Sequence, residues 1–214
     1  MPNITQFKSR LNGGVRPNLY QVEINFPTGV GNQKSLKEQG QYLCRSTSLP
    51  THSQGLIEVP FRGRFLKIPG DRTFEAWTAT FYNTEDFNLR AAFENWINIT
   101  NQTNENVGVV GGFDSIFKDV TIRQLSKDSG AKAIARAGAG GSETDANKVL
   151  RVYKLIDAWP TSVGAINVAY DSNDALEEFD VEFQYQYLDA SKPGQNNTPA
   201  NTTTGFLSEP DLVV

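Results

Sequence analysis

Near its C-terminal end the chain alternates with a strict period of two: Phe179, Val181, Phe183, Tyr185 and Tyr187 are interleaved with Glu178, Asp180, Glu182, Gln184 and Gln186. Successive strand side chains point to opposite faces, so residues 176–188 read as a strand with one apolar face and one acidic or amide face. A sheet built from such a strand buries a core on one side and shows water a row of carboxylates on the other. If several copies close around a channel, that row becomes its wall.

The same periodicity recurs upstream. After a polar arm over residues 1–15 that ends in Gly13-Gly14, Tyr20, Val22, Ile24 and Phe26 alternate with Gln21, Glu23 and Asn25, and Pro27-Thr28-Gly29 ends the run and opens a polar loop. Residues 41–47 form a second expected strand. Residues 57–68 hold two β-rich halves around Arg62-Gly63-Arg64, the pattern of a hairpin whose glycine takes the turn. Residues 72–83 follow as a strand with large side chains on both faces, predicting burial on both sides at least in part. Leu89, Ala92, Phe93, Trp96 and Ile97 then recur at helical spacing, with Asn83 or Thr84 as the expected cap and Glu85 and Asp86 at the positive helix end. Further strands are expected over 117–125, 148–159 and 164–170. Asn- and Gly-rich sequence over 98–116 and Gly/Ala-rich sequence over 126–147 read as loop insertions, and residues 190–214 as a flexible tail.

Four separated blocks occur in order along this frame. They are Arg16-Pro17-Asn18-Leu19-Tyr20-Gln21-Val22-Glu23-Ile24, then Gly70-Asp71-Arg72-Thr73-Phe74 with Trp77-Thr78, then Trp159-Pro160-Thr161 with Val163-Gly164, and lastly Asp171-Ser172-Asn173 before Phe179. Together they resemble the tail tube proteins of contractile-tailed, T-even-like bacteriophages over roughly residues 15–189. The segment after Trp96, residues 126–147 and the tail beyond Asp189 depart from the shorter family pattern. The resemblance implies six subunits whose sheets join into a ring, rings that stack into a hollow tube inside a contractile sheath, and passage of the genome through the lumen. The expected partners are further copies of the chain, the tail sheath, the baseplate and the tail terminator, with DNA passing without specific binding. The expected location is the virion tail, assembled in the host cytoplasm.

Chemistry belonging to other classes is weak in this sequence. His52 is the sole histidine and reads as a surface loop residue; Cys44 is the sole cysteine, which excludes an internal disulfide and a cysteine metal cage, and reads as a packed side chain. No nucleophile, base and orienting carboxylate form a set, so the chain reads as a non-enzyme with no cofactor or metal. Gly138-Ala139-Gly140-Gly141 lacks the Gly-Lys-Ser/Thr ending of a phosphate loop, and Asp171-Ser172-Asn173-Asp174 lacks the glycine and distal glutamate of a calcium loop. Trp77, Trp96 and Trp159 sit where core packing is expected rather than base or sugar stacking. No apolar run approaches the ~18 residues of a membrane span, and the N-terminus lacks the apolar core of a signal peptide.

The net charge of −4 conceals an asymmetry. Residues 1–72 carry ten Lys/Arg and four Asp/Glu, whereas residues 73–214 carry ten and twenty. A basic part of one copy meeting an acidic part of another favours head-to-tail association and fixes its register.

The expected architecture is a mainly β, antiparallel sandwich or distorted barrel with one packed α-helix, its domain spanning 16–189. Glu178, Asp180, Glu182, Gln184 and Gln186 are the candidate lumen-facing residues, and Arg62, Gly63 and Arg64 the candidate ring-stacking contact. Two other readings stay open: a baseplate tube initiator or secretion-system tube subunit, and a carbohydrate-binding β-sandwich module.

Overall fold

The structure is a computed structural model that describes residues 3–11, 14–103, 108, 115–126, 149–171 and 173–191. Nine strands and three helices follow in the order α1 (Ile4–Leu11), β1 (Tyr20–Ile24), α2 (Gln33–Leu43), β2 (Cys44–Thr47), β3 (His52–Phe61), β4 (Arg64–Phe74), β5 (Trp77–Tyr82), α3 (Asn88–Thr100), β6 (Lys118–Leu125), β7 (Val149–Val163), β8 (Glu178–Gln184) and β9 (Tyr187–Ser191). Every strand pairing is antiparallel. The main sheet runs β1-β6-β7-β8-β5-β2, with β9 on the first half of β7; β3 and β4 form a separate two-stranded sheet.

The main sheet folds on itself along β7. The first half of β7 pairs with β6 and β9, and its second half, from Trp159, pairs with β8. At the corner the ladder with β6 shifts register between Lys118 and Val120, Asp157 adopts φ 53°, and its N–H donates to Asp119 Oδ1 at 3.3 Å. A bulge of this kind re-aims a strand, and a short polar residue tolerates the left-handed conformation it needs.

The two halves face each other across one core. Val22, Ile24, Val120, Ile122 and Leu155 come from one, Trp77, Ala79, Phe81, Phe179, Val181 and Phe183 from the other, all buried. The α3 face of Leu89, Ala92, Phe93 and Trp96 closes the core as its spacing predicts. Phe93 is the hub, with ring centroids 5.3 Å from Phe26, 5.4 Å from Phe81 and 5.8 Å from Phe183. Trp96 donates its indole N–H to Ile116 O at 3.0 Å, so its burial leaves no orphan donor.

Several elements differ from the sequence expectation. Residues 33–43, read as a polar loop leading into a strand from Gln41, form α2, capped by Asn32 accepting from Ser35 N at 3.4 Å. Only Leu36 and Gly40 are fully buried, with Leu43 partly buried against the core, a sparse apolar face for a helix; α2 is a second packed helix beside α3. The N-terminal arm contains α1, whose residues are all exposed. Helix α3 starts at Asn88 with Phe87 at φ 50° as its N-cap, not at Asn83 or Thr84; Asp86 instead accepts from Asn88 N at 3.3 Å. Residues 164–170 form no strand, because β7 already supplies the ladder partner of β8 as far as Val163. The strand expected over 72–83 is interrupted at Glu75–Ala76, and β5 buries one face only: Thr78 is exposed and Thr80 and Tyr82 are half-buried. The terminal run divides at Tyr185–Gln186 into β8 and β9, which leaves Tyr187 51% exposed despite its place in the alternation. Residues 127–148 and 192–214, expected to be loop and tail, lie outside the described residues.

Candidate functional site

The acidic face is assembled by register. Across the β5–β8 ladder Trp77, Ala79 and Phe81 stand opposite Phe183, Val181 and Phe179, which leaves Thr78, Thr80 and Tyr82 opposite Glu182, Asp180 and Glu178 on the solvent side. Thr80 donates its hydroxyl to Asp180 at 2.6 Å, and Ser162 of β7 donates to Glu182 at 3.4 Å. Arg45 of β2 pairs with Glu178 at one end of the row. Gln184 completes the ladder opposite Trp159, whereas Gln186 lies in the bend after β8, where its backbone N–H donates to Ile156 O at 3.1 Å. Four of the five candidate residues thus share strand β8 and the fifth does not.

The outer face of the opposite half is electrically different. Glu23 of β1 is held between Lys37 of α2 and Arg123 of β6, the latter at 2.5 Å, and Asp119 pairs with Lys154 at 2.6 Å. Burial resists ionisation of Glu23, but hydrogen bonds from Lys37 and Arg123 outweigh it and hold the carboxyl below its ordinary range. The carboxylates named on that face are each met by internal cations. On the β8 face three carboxylates meet one arginine and a row of hydroxyls, so that face carries the uncompensated negative potential.

The β3–β4 hairpin forms the second surface. Its tip is a two-residue turn in which Arg62 and Gly63 both take positive φ, 45° and 81°. This is the twist-matched hairpin turn that glycine adopts without steric cost. Cross-strand register puts Ile57 with Ile68, Val59 with Leu66 and Phe61 with Arg64 on one face, while Glu58 and Lys67 mark the other. Ile57, Val59, Phe61, Leu66 and Ile68 are 40–66% exposed. All ten residues of β3 are exposed, so the hairpin, about 30 Å long at the usual strand rise, projects from the body as an arm. Its base is fixed: Trp77 Nε1 donates to Ser48 O at 2.8 Å, Thr51 donates to Glu75 at 3.1 Å, and Phe74 stacks on Tyr185 at 5.8 Å. An exposed apolar strand pair of this length is an aggregation hazard unless a partner covers it. The candidate arginines were legible from the turn; the apolar face beneath them follows from the same i, i+2 spacing once the register is known.

The remaining candidates are structural. His52 opens β3 and is exposed, so it belongs to a strand rather than a loop. Burial pushes the Cys44 thiol up to about 12, far from a nucleophilic thiolate. Trp77 and Trp96 are core residues, and half-buried Trp159 packs on Phe117 with centroids 5.1 Å apart. Among the described residues no cluster of His, Cys, Asp and Glu is arranged to hold a metal, and no helix is long and apolar enough to cross a membrane.

Comparison with known proteins gives the family. The family model described as phage tail tube protein matches residues 15–190. The tail tube protein gp19 of Enterobacteria phage T4 is 30% identical over 174 residues, covering 80% of this chain and 89% of the relative. The tail tube protein of Serratia phage KSP90 is 28% identical over 189 residues, covering 86% and 95%. Among solved structures, the tube-terminating cap of the anti-feeding prophage superposes with a TM-score of 0.53 at 18% identity, over 84% of this chain and 91% of that one, a likeness of fold.

Proposed function

The chain belongs to the phage tail tube protein family, and from that premise we propose that six copies close into a ring with the acidic β8 face toward the lumen, and that rings stack through the β3–β4 arm. As a member of that family it is a structural subunit of the tube of contractile phage tails, not an enzyme. The observation that carries the lumen assignment is the charge difference between the two outer faces: among the described residues Glu178, Asp180 and Glu182 are opposed by Arg45 alone, whereas Glu23 and Asp119 are each paired. A wall with that excess repels DNA phosphates within the ~8 Å screening length of physiological salt, which keeps the genome from adhering as it passes.

Ring closure uses the open edges of the same half-sheet. The four-residue edge strand β2 lies at one side, and the last residues of β7, beyond its pairing with β6, lie at the other. Edge-to-edge pairing between copies extends the ladder and consumes both edges. The sheath surrounds the tube, with baseplate and terminator at its ends, and DNA passes without specific binding; virions are assembled in the host cytoplasm. Arg62, Gly63 and Arg64 serve the contact between rings.

The test is DNA delivery by particles whose tube carries Glu182→Lys and Gln184→Lys together, two candidate lumen residues on β8. Particles of normal length that deliver poorly support the lumen assignment. Normal delivery from such particles refutes it.

A further inference from the structure

A cleft of about 320 Å³ opens at one end of the acidic face, between β8 and the segment that follows β7. It is lined by Thr80, Ile166, Leu176, Glu177, Glu178 and Asp180 among others. The segment is held close because Gly164 donates its N–H to Asp180 O at 2.7 Å, and a Cβ at Gly164 would stand 3.2 Å from that oxygen. The cleft therefore combines an apolar wall, where Leu176 is 72% exposed, with three carboxylates. Of these, Glu178 meets Arg45, while Glu177 and Asp180 are hydrogen-bonded to the neutral Asn83 and Thr80.

The β3–β4 tip has the complementary chemistry. Arg62 and Arg64 make no ion pair with any described residue, and Arg62 lies over the ring of Phe61, 5.3 Å from its centroid. Phe61 and Phe65 flank them at 66% and 64% exposure. Two guanidinium groups beside the exposed Phe61 ring fit a cleft that offers carboxylates beside an apolar wall, since arginine pairs with carboxylates through a planar fork and keeps stacking capacity.

The two features lie at opposite ends of the same strands. The arm leaves the body beside Trp77, which is opposite Phe183; the cleft lies at the other end of the β5–β8 ladder, where Tyr82 is opposite Glu178. An arm that continues the ladder direction beyond Trp77 presents its tip to the cleft of a copy displaced along the strands. That contact is heterologous and repeats without closing, which is the geometry of a stack.

We propose that the Arg62–Arg64 tip of one copy seats in the Glu177/Asp180 cleft of a copy in the adjacent ring, so that the cleft is the receptor of the arm. The inference rests on the stacking role proposed above and adds the surface that receives it. Occupancy places the arm's arginines against carboxylates at the rim of the channel wall, leaving Glu182 as the uncompensated charge nearer its middle.

The experiment joins Arg64→Cys to Leu176→Cys in a Cys44→Ser background and assembles the purified chain under oxidising conditions. A ladder of covalent multimers on a non-reducing gel, absent from either single variant, is the expected result. In parallel, Arg62→Glu with Arg64→Glu is expected to shorten tubes at least tenfold while leaving rings, and adding Glu177→Arg with Asp180→Arg to restore length. Normal tubes with no ladder and no response to charge reversal overturn the cleft as receptor and leave the conduit reading standing. A native chain that forms neither rings nor tubes overturns that reading and the inference with it.

Discussion

Thr80 donates a 2.6 Å hydrogen bond to Asp180 from the directly opposite position on the neighbouring strand, on the side of the sheet that faces away from the core. The carboxylate is exposed, so this bond orients charge more than it stabilises the fold. Asp180→Asn keeps an acceptor for Thr80 and removes the charge. Its stability by urea unfolding is expected to change by less than about 1 kcal/mol, so any delivery defect of the variant traces to the lost charge, in the channel wall or in the cleft that receives the arm, and tube length separates the two.

Phe93→Ala is expected to cost about 3–5 kcal/mol, because the ring is fully buried among Phe26, Phe81, Phe179 and Phe183 and a polar-lined collapse is not available there. Equilibrium urea unfolding of the monomer measures it. A loss under 1 kcal/mol contradicts the placement of α3 between the two half-sheets.

Glu23 makes stability depend on pH. Its carboxyl titrates below its unfolded value of about 4.3, so the stabilisation is fully present above that value and is lost as pH falls through the lower folded one. Glu23→Gln is expected to cost about 2 kcal/mol at pH 7 and progressively less as both proteins are taken into that acid range, since the native carboxyl is then neutral too. Thermal melts across pH 2–7 give the comparison.

Cys44 is expected to react with a disulfide reagent at pH 8 at least about a hundredfold more slowly in the folded chain than after denaturation. Burial pushes its thiol up to about 12, against an ordinary value near 8.5. Fast labelling of the native chain contradicts the packing of β2 on β5.

Gly63→Val strains a turn residue at φ 81°, which glycine occupies freely. Monomer melting is expected to be unchanged, since the hairpin is a sheet of its own, while assembly into tubes slows. Equal loss in both assays contradicts the independence of the arm.

What could be read from the sequence follows the strength of each period. Phe179, Val181 and Phe183 announce β8 because every second residue is apolar without exception, and Leu89, Ala92, Phe93 and Trp96 announce α3 because four large positions share one face. Helix α2 was silent because Leu36 is its one fully buried large side chain, with Gly40 and the partly buried Leu43 completing its inward face, and Asn32 capping and docking against β1 hold it. Gly164 to Tyr170 has strand-like composition, but β8 is already paired by β7 as far as Val163. The division of the terminal run at Gln186 depends on β7 bending at Asp157, a tertiary event with no local signature. Among the candidate site residues, Glu178, Asp180 and Glu182 share a face as alternation requires. The cleft at their end was not legible, because it is formed by a segment whose position is set by one backbone hydrogen bond from Gly164.

A hairpin joined to the body only at its base has a bearing on how errors in it are detected. Chaperones and proteases inspect the folded monomer, and a faulty arm leaves that monomer's core untouched. Under the stacking role proposed for the arm, such a subunit survives inspection, enters the pool of building blocks and acts there as a chain terminator. A small fraction of defective copies then limits the length of every growing tube, so variants of the arm behave as dominant rather than recessive when mixed with the native chain.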